Sequence, residues 1–83
     1  RQTKTPLPED INVGLWEALR ECRRLFAEAQ GVPPYVIFHD KTLREMAEQM
    51  PQNKSEFGLL TGVGERKLEK YSEAFLAVIQ EAL

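Results

Sequence analysis

Two glycines separated by one aliphatic residue, Gly62-Val63-Gly64, stand between two apolar helical patterns and carry the strongest chemical signal in this chain. Glycine has no Cβ, so it lets a partner approach the main chain closely. A helix that begins directly after the turn would leave unpaired N–H groups there, and such groups bind anions. Arg66 and Lys67 in its first turn oppose the helix dipole unless an acid or an anionic ligand compensates them. The segment predicts either a phosphate contact or a plain tight turn followed by solvated basic residues.

Tyr35 is the second candidate for ligand binding in the sequence, because it is an aromatic residue that directly follows Pro33 and Pro34. Prolines fix their own φ and restrict the residue before them, so the backbone that leads into the tyrosine is conformationally limited. Its ring could then stack on an unpaired nucleobase, a contact worth about 1–3 kcal/mol per base. The alternative is a half-buried ring whose hydroxyl reaches water. Trp16 differs, because it adjoins the core stripe of the first helix and is expected to pack there.

No group of residues is spaced for catalysis or for metal binding. The one cysteine, Cys22, falls within an apolar stripe, where a free thiol behaves as a small hydrophobe. The one histidine, His39, precedes Asp40 and is expected to lie on the surface beside a helix cap. One cysteine and one histidine do not make a zinc site. We therefore expect no enzyme activity, no cofactor and no metal from this chain itself.

Composition is that of one small globular domain of 83 residues, 42% hydrophobic and 29% charged. The longest apolar run falls far short of the roughly 20 residues that cross a bilayer, so a cytoplasmic protein without membrane contact is expected. The net charge is −2 and the pI is near 5.4, which argues against a strongly basic nucleic-acid binder. Any nucleic-acid binding is expected to be weak or local. Glu21, Arg24 and Glu28 lie at helical spacing and predict weak surface ion pairs.

The chain divides into an extended lead-in or linker over residues 1–11, which contains Pro6 and Pro8, and a domain over residues 12–83. The domain begins with a helix whose apolar residues recur at spacings of three and four. This stripe comprises Leu15, Leu19, Cys22, Phe26 and Ala29, and Trp16 and Leu25 are expected to widen it. Gly31 is expected to end the helix.

Residues 32–38 cannot continue that helix because of the two prolines. They are predicted to cross the bundle as an extended or single-turn segment with Val36, Ile37 and Phe38 available for burial. Three later residues are expected to act as N-caps: Asp40 for a second helix that ends at Pro51, Ser55 for a short third helix, and Ser72 for the last helix, after a fourth that follows the glycine turn. No strand pattern appears, so the sequence predicts an all-α, compact bundle of about five helices.

Several segments together resemble the HRDC domain (helicase and RNase D C-terminal domain). They are residues 32–40, the pairs Thr42-Leu43, Met46-Ala47 and Met50-Pro51, and residues 62–68. The form of these segments is most similar to that in bacterial RecQ-type DNA helicases. The resemblance implies an accessory DNA-binding bundle without its own ATPase, which tunes the DNA structures that its parent helicase engages in repair and recombination. The expected setting is then the bacterial cytoplasm, with association with the nucleoid.

The resemblance also assigns site residues and partners. It implies that Tyr35 contacts single-stranded DNA, with Arg23, Arg24 and Lys41 as neighbouring basic residues. The glycine turn is similar to helix-hairpin-helix motifs, which implies a phosphate contact at Gly62, Val63, Gly64, Arg66 and Lys67. Whether the two regions share one surface stays open at this point. The expected partners are weakly bound single-stranded or branched DNA and the other domains of the parent helicase, with the domain itself a monomer. The alternative function is a regulatory module that docks on the helicase core or on another protein.

Overall fold

The computed structural model describes residues 12–82, which form five helices and no strand. In chain order the helices are α1 (Val13–Gln30), α2 (Pro34–Ile37), α3 (Asp40–Gln49), α4 (Lys54–Phe57) and α5 (Glu65–Glu81). The all-α bundle predicted from the sequence is confirmed. The predicted lead-in over residues 1–11 lies outside the described residues, so the domain boundary stays a prediction.

Helix α1 begins and ends at residues suited to those positions. The Asn12 side chain accepts a hydrogen bond from the Leu15 N–H at 3.0 Å, which satisfies one of the free donors of the first turn. Gly31 ends the helix in the left-handed region at φ 69°, as glycine can without strain. Trp16 is buried, as predicted, but Leu25 is 55% exposed. The expectation that Leu25 widens the apolar stripe is therefore wrong.

Helix α2 is a single turn, so the extended form predicted for the Pro-Pro-Tyr segment is wrong and the single-turn form is correct. Pro33 is extended at ψ 153°, and Pro34 occupies the first helical position, where its missing N–H costs nothing. Ile37 and Phe38 are buried as predicted, whereas Val36 is 42% exposed. The turn thus inserts its last residues into the core and leaves its first residues at the surface.

The N-caps of α3 and α4 lie one and two residues, respectively, before the predicted caps Asp40 and Ser55. His39 is the N-cap of α3 and Asp40 is its first helical residue, where a carboxylate still complements the helix dipole. Asn53, not Ser55, caps α4, and its side chain accepts a hydrogen bond from the Glu56 N–H at 2.9 Å. Helix α3 ends at Met50, which takes φ 46° directly before the proline.

Helix α5 runs without a break from the glycine turn to Glu81, which corrects the two separate helices predicted from the sequence. Ser72, expected as an N-cap between them, lies inside α5 with 0% exposure. Its neighbours Tyr71 and Phe75 are buried, so the apolar stripe passes straight through the position. A small side chain suits a site where the helix lies against its neighbours.

The core is built around aromatic rings that connect α1, the end of α2, α4 and α5. The Phe38 ring contacts the rings of Phe57, Tyr71 and Phe75, with centroid distances of 6.1, 5.7 and 5.2 Å. Phe26 of α1 lies edge-on to Tyr71 at 4.9 Å. Such pairs add about 0.5–1.5 kcal/mol each beyond the area that they bury. Phe38 therefore ties the end of α2 into the centre of the bundle and fixes where Tyr35 stands.

Candidate nucleic-acid interface

A shallow hollow of about 510 Å³ lies where α1, α2 and α3 meet. It is lined by Arg23, Pro34, Tyr35, His39, Asp40 and Lys41. We call it the Tyr35 hollow. Three of the residues predicted as DNA contacts, Tyr35, Arg23 and Lys41, are brought together there by the tight turn from α2 into α3.

Tyr35 is 59% exposed, so its ring stays outside the packed interior. The half-buried alternative raised by the sequence does not apply. The His39 ring lies beside it, with centroids 6.1 Å apart and planes 28° from parallel. The hollow thus presents two nearly parallel aromatic rings to solvent.

Arg23 is buried, with 8% exposure, and its guanidinium is engaged within the protein. One amino group, Nη1, donates to the Phe38 carbonyl at 2.9 Å and to the Asp40 carboxylate at 2.8 Å. These bonds link α1 to the α2–α3 junction. The sequence suggested Arg23 as a DNA contact, but its charge is balanced by Asp40, so its evident role is to brace the hollow from below.

Arg24 is exposed and bound to two carboxylates of its own helix, the surface pairs predicted from the helical spacing. Its Nη1 donates to Glu28 at 2.6 Å and its Nε donates to Glu21 at 3.1 Å. The hydrogen bond from Arg24 lowers the pKa of the Glu21 carboxyl, and the two carboxylates raise the pKa of Arg24. The structure does not place Arg24 among the residues that line the Tyr35 hollow.

The glycine turn is held by the first turns of α3. The Thr42 hydroxyl donates to the Thr61 carbonyl at 2.7 Å, and the Thr61 N–H donates to the Glu45 carboxylate at 2.8 Å. Gly62 takes φ 82°, and a Cβ on it would lie 2.9 Å from the Thr42 hydroxyl. Gly64 is the N-cap of α5, and nothing lies within 4 Å of where its Cβ would be. Of the two glycines of the turn, only Gly62 has a backbone conformation that requires glycine.

The glycine turn and the Tyr35 hollow are linked through the first turn of α3. Lys41 lines the hollow, and the next residue, Thr42, holds the turn. The Lys67 ammonium of α5 lies 5.6 Å from the centre of the ring of Phe38, the residue that precedes His39 in the chain. Within residues 12–82, Lys41, Arg66 and Lys67 form no ion pair. Val63 is half-buried and packs against the core.

Cys22 is half-buried, and this burial raises the pKa of its thiol to about 11. At pH 8 roughly one thiol in a thousand would then be ionised, and the thiolate is the reactive form. We expect the folded domain to react with a thiol-specific disulfide reagent at least tenfold more slowly than the same chain in denaturant. Comparing the two rates at pH 8 checks this; equal rates would show an accessible, ionisable thiol. The expectation of a packing residue fits this burial.

The described part of the chain shows no group of three or more His, Cys, Asp or Glu residues arranged to hold a metal ion. Nor do its helices include one long and apolar enough to cross a membrane. Three residues that line the hollow, Pro34, His39 and Asp40, were not predicted to belong to the site. His39 stands four residues after Tyr35, but the chain between them leaves the helix at Phe38 and is extended at His39. No helical spacing in the sequence therefore indicated that the two rings lie together.

Comparison with known proteins agrees with the resemblance noted from the sequence. The HRDC domain family matches residues 12–79. The ATP-dependent DNA helicase RecQ of Bacillus subtilis is 48% identical over 69 residues, 83% of this chain and 12% of the helicase. RecQ of Haemophilus influenzae is 43% identical over 67 residues, 81% of this chain and 11% of the helicase.

A solved structure has the same fold. The third HRDC domain of D. radiodurans RecQ superposes with a TM-score of 0.81 at 34% identity, covering 84% of this chain and 92% of that domain. The chain spans only about 11–12% of the length of the two RecQ helicases it matches. The family match, the identities and the shared five-helix fold lead to one conclusion: this chain belongs to the HRDC domain family.

Proposed function

We propose that this domain is the accessory DNA-binding module of a RecQ-type helicase, and that it contacts single-stranded or branched DNA weakly through the Tyr35 hollow. In this role it tunes which DNA structures the parent enzyme engages during repair and recombination. The chemistry of strand separation belongs to the rest of such a helicase. The domain acts as a monomer in the bacterial cytoplasm, where its DNA lies in the nucleoid.

The observation that carries the proposal is the exposure of Tyr35, 59%, in a hollow that is also lined by charged side chains. A tyrosine that served only the core would be covered, as Tyr71 is at 4%. Every nucleobase offers a flat face, so a solvent-facing ring suits unpaired strands of any sequence. The Phe38 contacts and the bonds from Arg23 hold the backbone under the ring, so little order is lost on binding.

The available cations set the strength of the interaction. Lys41 in the hollow and Arg66 and Lys67 at the glycine turn are the three predicted basic contacts without a carboxylate partner in residues 12–82. Each phosphate neutralised in a single strand adds about 0.7 to the log–log dependence of affinity on salt. A total slope of at most about 2 follows if all three contact phosphate. Binding should therefore be weak and confined to low or moderate salt.

Replacing Tyr35 with alanine is expected to weaken binding of a labelled single-stranded oligonucleotide by roughly 5- to 150-fold, the equivalent of about 1–3 kcal/mol of stacking. Fluorescence anisotropy at about 50 mM and about 200 mM salt measures both affinity and salt slope. Tyr35→Phe should bind like the parent chain because it keeps the ring. Leu25→Ala is the matched control, since Leu25 is 55% exposed but is not part of the hollow.

A second arm of the experiment separates stacking from charge. The double variant Arg66→Ala/Lys67→Ala should reduce the salt slope, whereas Tyr35→Ala should leave it unchanged because an uncharged ring releases no counterions. Absence of binding by the unaltered chain at low salt would reject the proposal.

Docking on another protein is the second candidate function, and the ion pairs that two arginines form favour it. Arg23 and Arg24 were both predicted to face DNA, but carboxylates occupy their guanidiniums. Leu59 beside the glycine turn is 84% exposed and offers an apolar contact. On this hypothesis, the isolated domain does not bind DNA. Deleting the domain from a RecQ-type parent nevertheless changes the ATPase rate or the DNA affinity of that enzyme.

A further inference from the structure

His39 is the one aromatic residue of the Tyr35 hollow that the proposed function leaves without a role. Its imidazole and the Tyr35 ring are 6.1 Å apart between centroids and 28° from parallel. Aromatic rings stack offset when their centroids lie about 4.5–7 Å apart, so the two rings form an offset stacked pair. Both residues are exposed. Two flat surfaces of similar orientation are therefore presented side by side.

The backbone holds His39 firmly, although its side chain is free. As N-cap of α3, its carbonyl accepts hydrogen bonds from the N–H groups of Thr42 at 3.0 Å and Leu43 at 3.1 Å. The residue before it, Phe38, is 1% exposed, and the residue after it, Asp40, is bound by Arg23. The backbone that carries the His39 ring is thus fixed before any ligand arrives, so only the side chain has to be ordered on binding.

The charges around the two rings restrict what can lie on them. Asp40 and Arg23 balance each other across 2.8 Å, so Lys41 supplies the remaining net charge among the residues that line the hollow. A ligand that complements two flat ring faces and one cation is itself flat and polar. It carries a single negative charge close to its flat part. A nucleobase with its own phosphate has this form.

We infer that His39 is a second stacking residue, which together with Tyr35 holds unpaired bases of a bound strand; this inference rests on the proposed DNA-binding function. Stacking needs a ring at position 39 and does not need a positive charge there. A ring without ionisable groups should therefore replace histidine, and a cation without a ring should not.

The test compares His39→Ala, His39→Phe and His39→Lys in the same 83-residue chain, titrated against a labelled single-stranded oligonucleotide. His39→Ala should weaken binding roughly tenfold, which lies within the range for loss of one stacked base. His39→Phe should bind within about twofold of the parent chain, and His39→Lys should steepen the salt dependence without restoring the affinity. Gln49→Ala, an exposed position at the far end of α3, is the control.

The outcomes distinguish a failure of the stacking role of His39 from a failure of the proposed DNA-binding function. If the parent chain binds and Tyr35→Ala weakens it while His39→Ala does not, the second stacking residue is overturned and the DNA-binding function stands. Rescue by lysine but not by phenylalanine would also overturn it, because His39 would then act by charge. No binding by the parent chain would overturn both. Should His39→Ala fail to fold by circular dichroism, the phenylalanine and lysine variants decide the question between them.

Discussion

Replacing Phe75 with alanine is expected to destabilise the domain by about 3–5 kcal/mol, the usual cost of removing a buried aromatic side chain. Phe75 is 0% exposed, and its ring lies 5.2 Å from that of Phe38 and 6.0 Å from that of Phe26, measured between centroids. A chain of 83 residues has a total stability of roughly 4–12 kcal/mol. The variant should therefore be largely unfolded at moderate denaturant concentrations where the parent chain is folded.

Urea unfolding followed by circular dichroism measures this change, with Leu25→Ala as control. Leu25 is 55% exposed on α1, so its truncation should alter the free energy of unfolding by no more than about 0.5 kcal/mol. A loss below 1 kcal/mol for Phe75→Ala would contradict the central place of this ring. Because Phe38 also positions Tyr35, partial unfolding of the core should reduce DNA binding as well.

Gly62→Ala is expected to destabilise the domain by about 2–5 kcal/mol, the second largest effect that the structure predicts. The left-handed conformation at φ 82° costs a residue with a Cβ about 1–2 kcal/mol, and the new methyl would lie 2.9 Å from the Thr42 hydroxyl. Thr42 can relieve this contact only by giving up its 2.7 Å hydrogen bond to the Thr61 carbonyl. Overpacking of this kind adds about 1–3 kcal/mol.

Gly64→Ala is the matched comparison, because it changes the same residue type two positions later. Gly64 has φ −88°, and its Cβ would meet nothing within 4 Å, so little loss of stability should follow. Thermal unfolding of the two variants side by side checks the difference. Equal destabilisation would show that the geometry at Gly62 does not control the turn. If DNA binding falls in Gly64→Ala while stability is kept, the main chain there lies close to a phosphate.

The sequence was sufficient for those parts of the fold that depend on local chemistry. Apolar residues at spacings of three and four predicted α1 and α3, and Gly31 predicted the end of α1. The two prolines predicted the interruption at α2. The correct choice between an extended segment and a single turn needed the burial of Ile37 and Phe38, which only tertiary packing provides.

Two errors have separate physical causes. Ser72 was assigned as a cap from its residue type, although the spacing from Leu68 through Tyr71 and Phe75 to Ile79 continues without interruption. That continuity was available in the sequence and outweighs the preference of serine for helix ends. Leu25 was assigned to the core on hydrophobicity alone. At 100° per residue it lies away from Trp16 and Arg23, the side on which α1 receives the α2–α3 junction.

The candidate site was only partly accessible to sequence reasoning. Tyr35 and Lys41 are close in sequence and were identified together. The bond between Arg23 and Asp40 joins residues 17 positions apart, so nothing local indicates that Arg23 is engaged within the protein. The same holds for Thr42 and Thr61, which connect the glycine turn to the hollow. Long-range pairs of this kind decide which basic residues remain available to a ligand.

The continuity of α5 has a mechanical consequence. A straight helix of 17 residues is about 25 Å long, and this one extends without a joint from the glycine turn to the N-terminal end of α1, where Val78 and Glu81 lie near Asn12 and Leu15. Had Ser72 started a new helix, the two ends could pivot about it. Without a break at Ser72, α5 connects the glycine turn to the N-terminal end of α1 through one continuous helix.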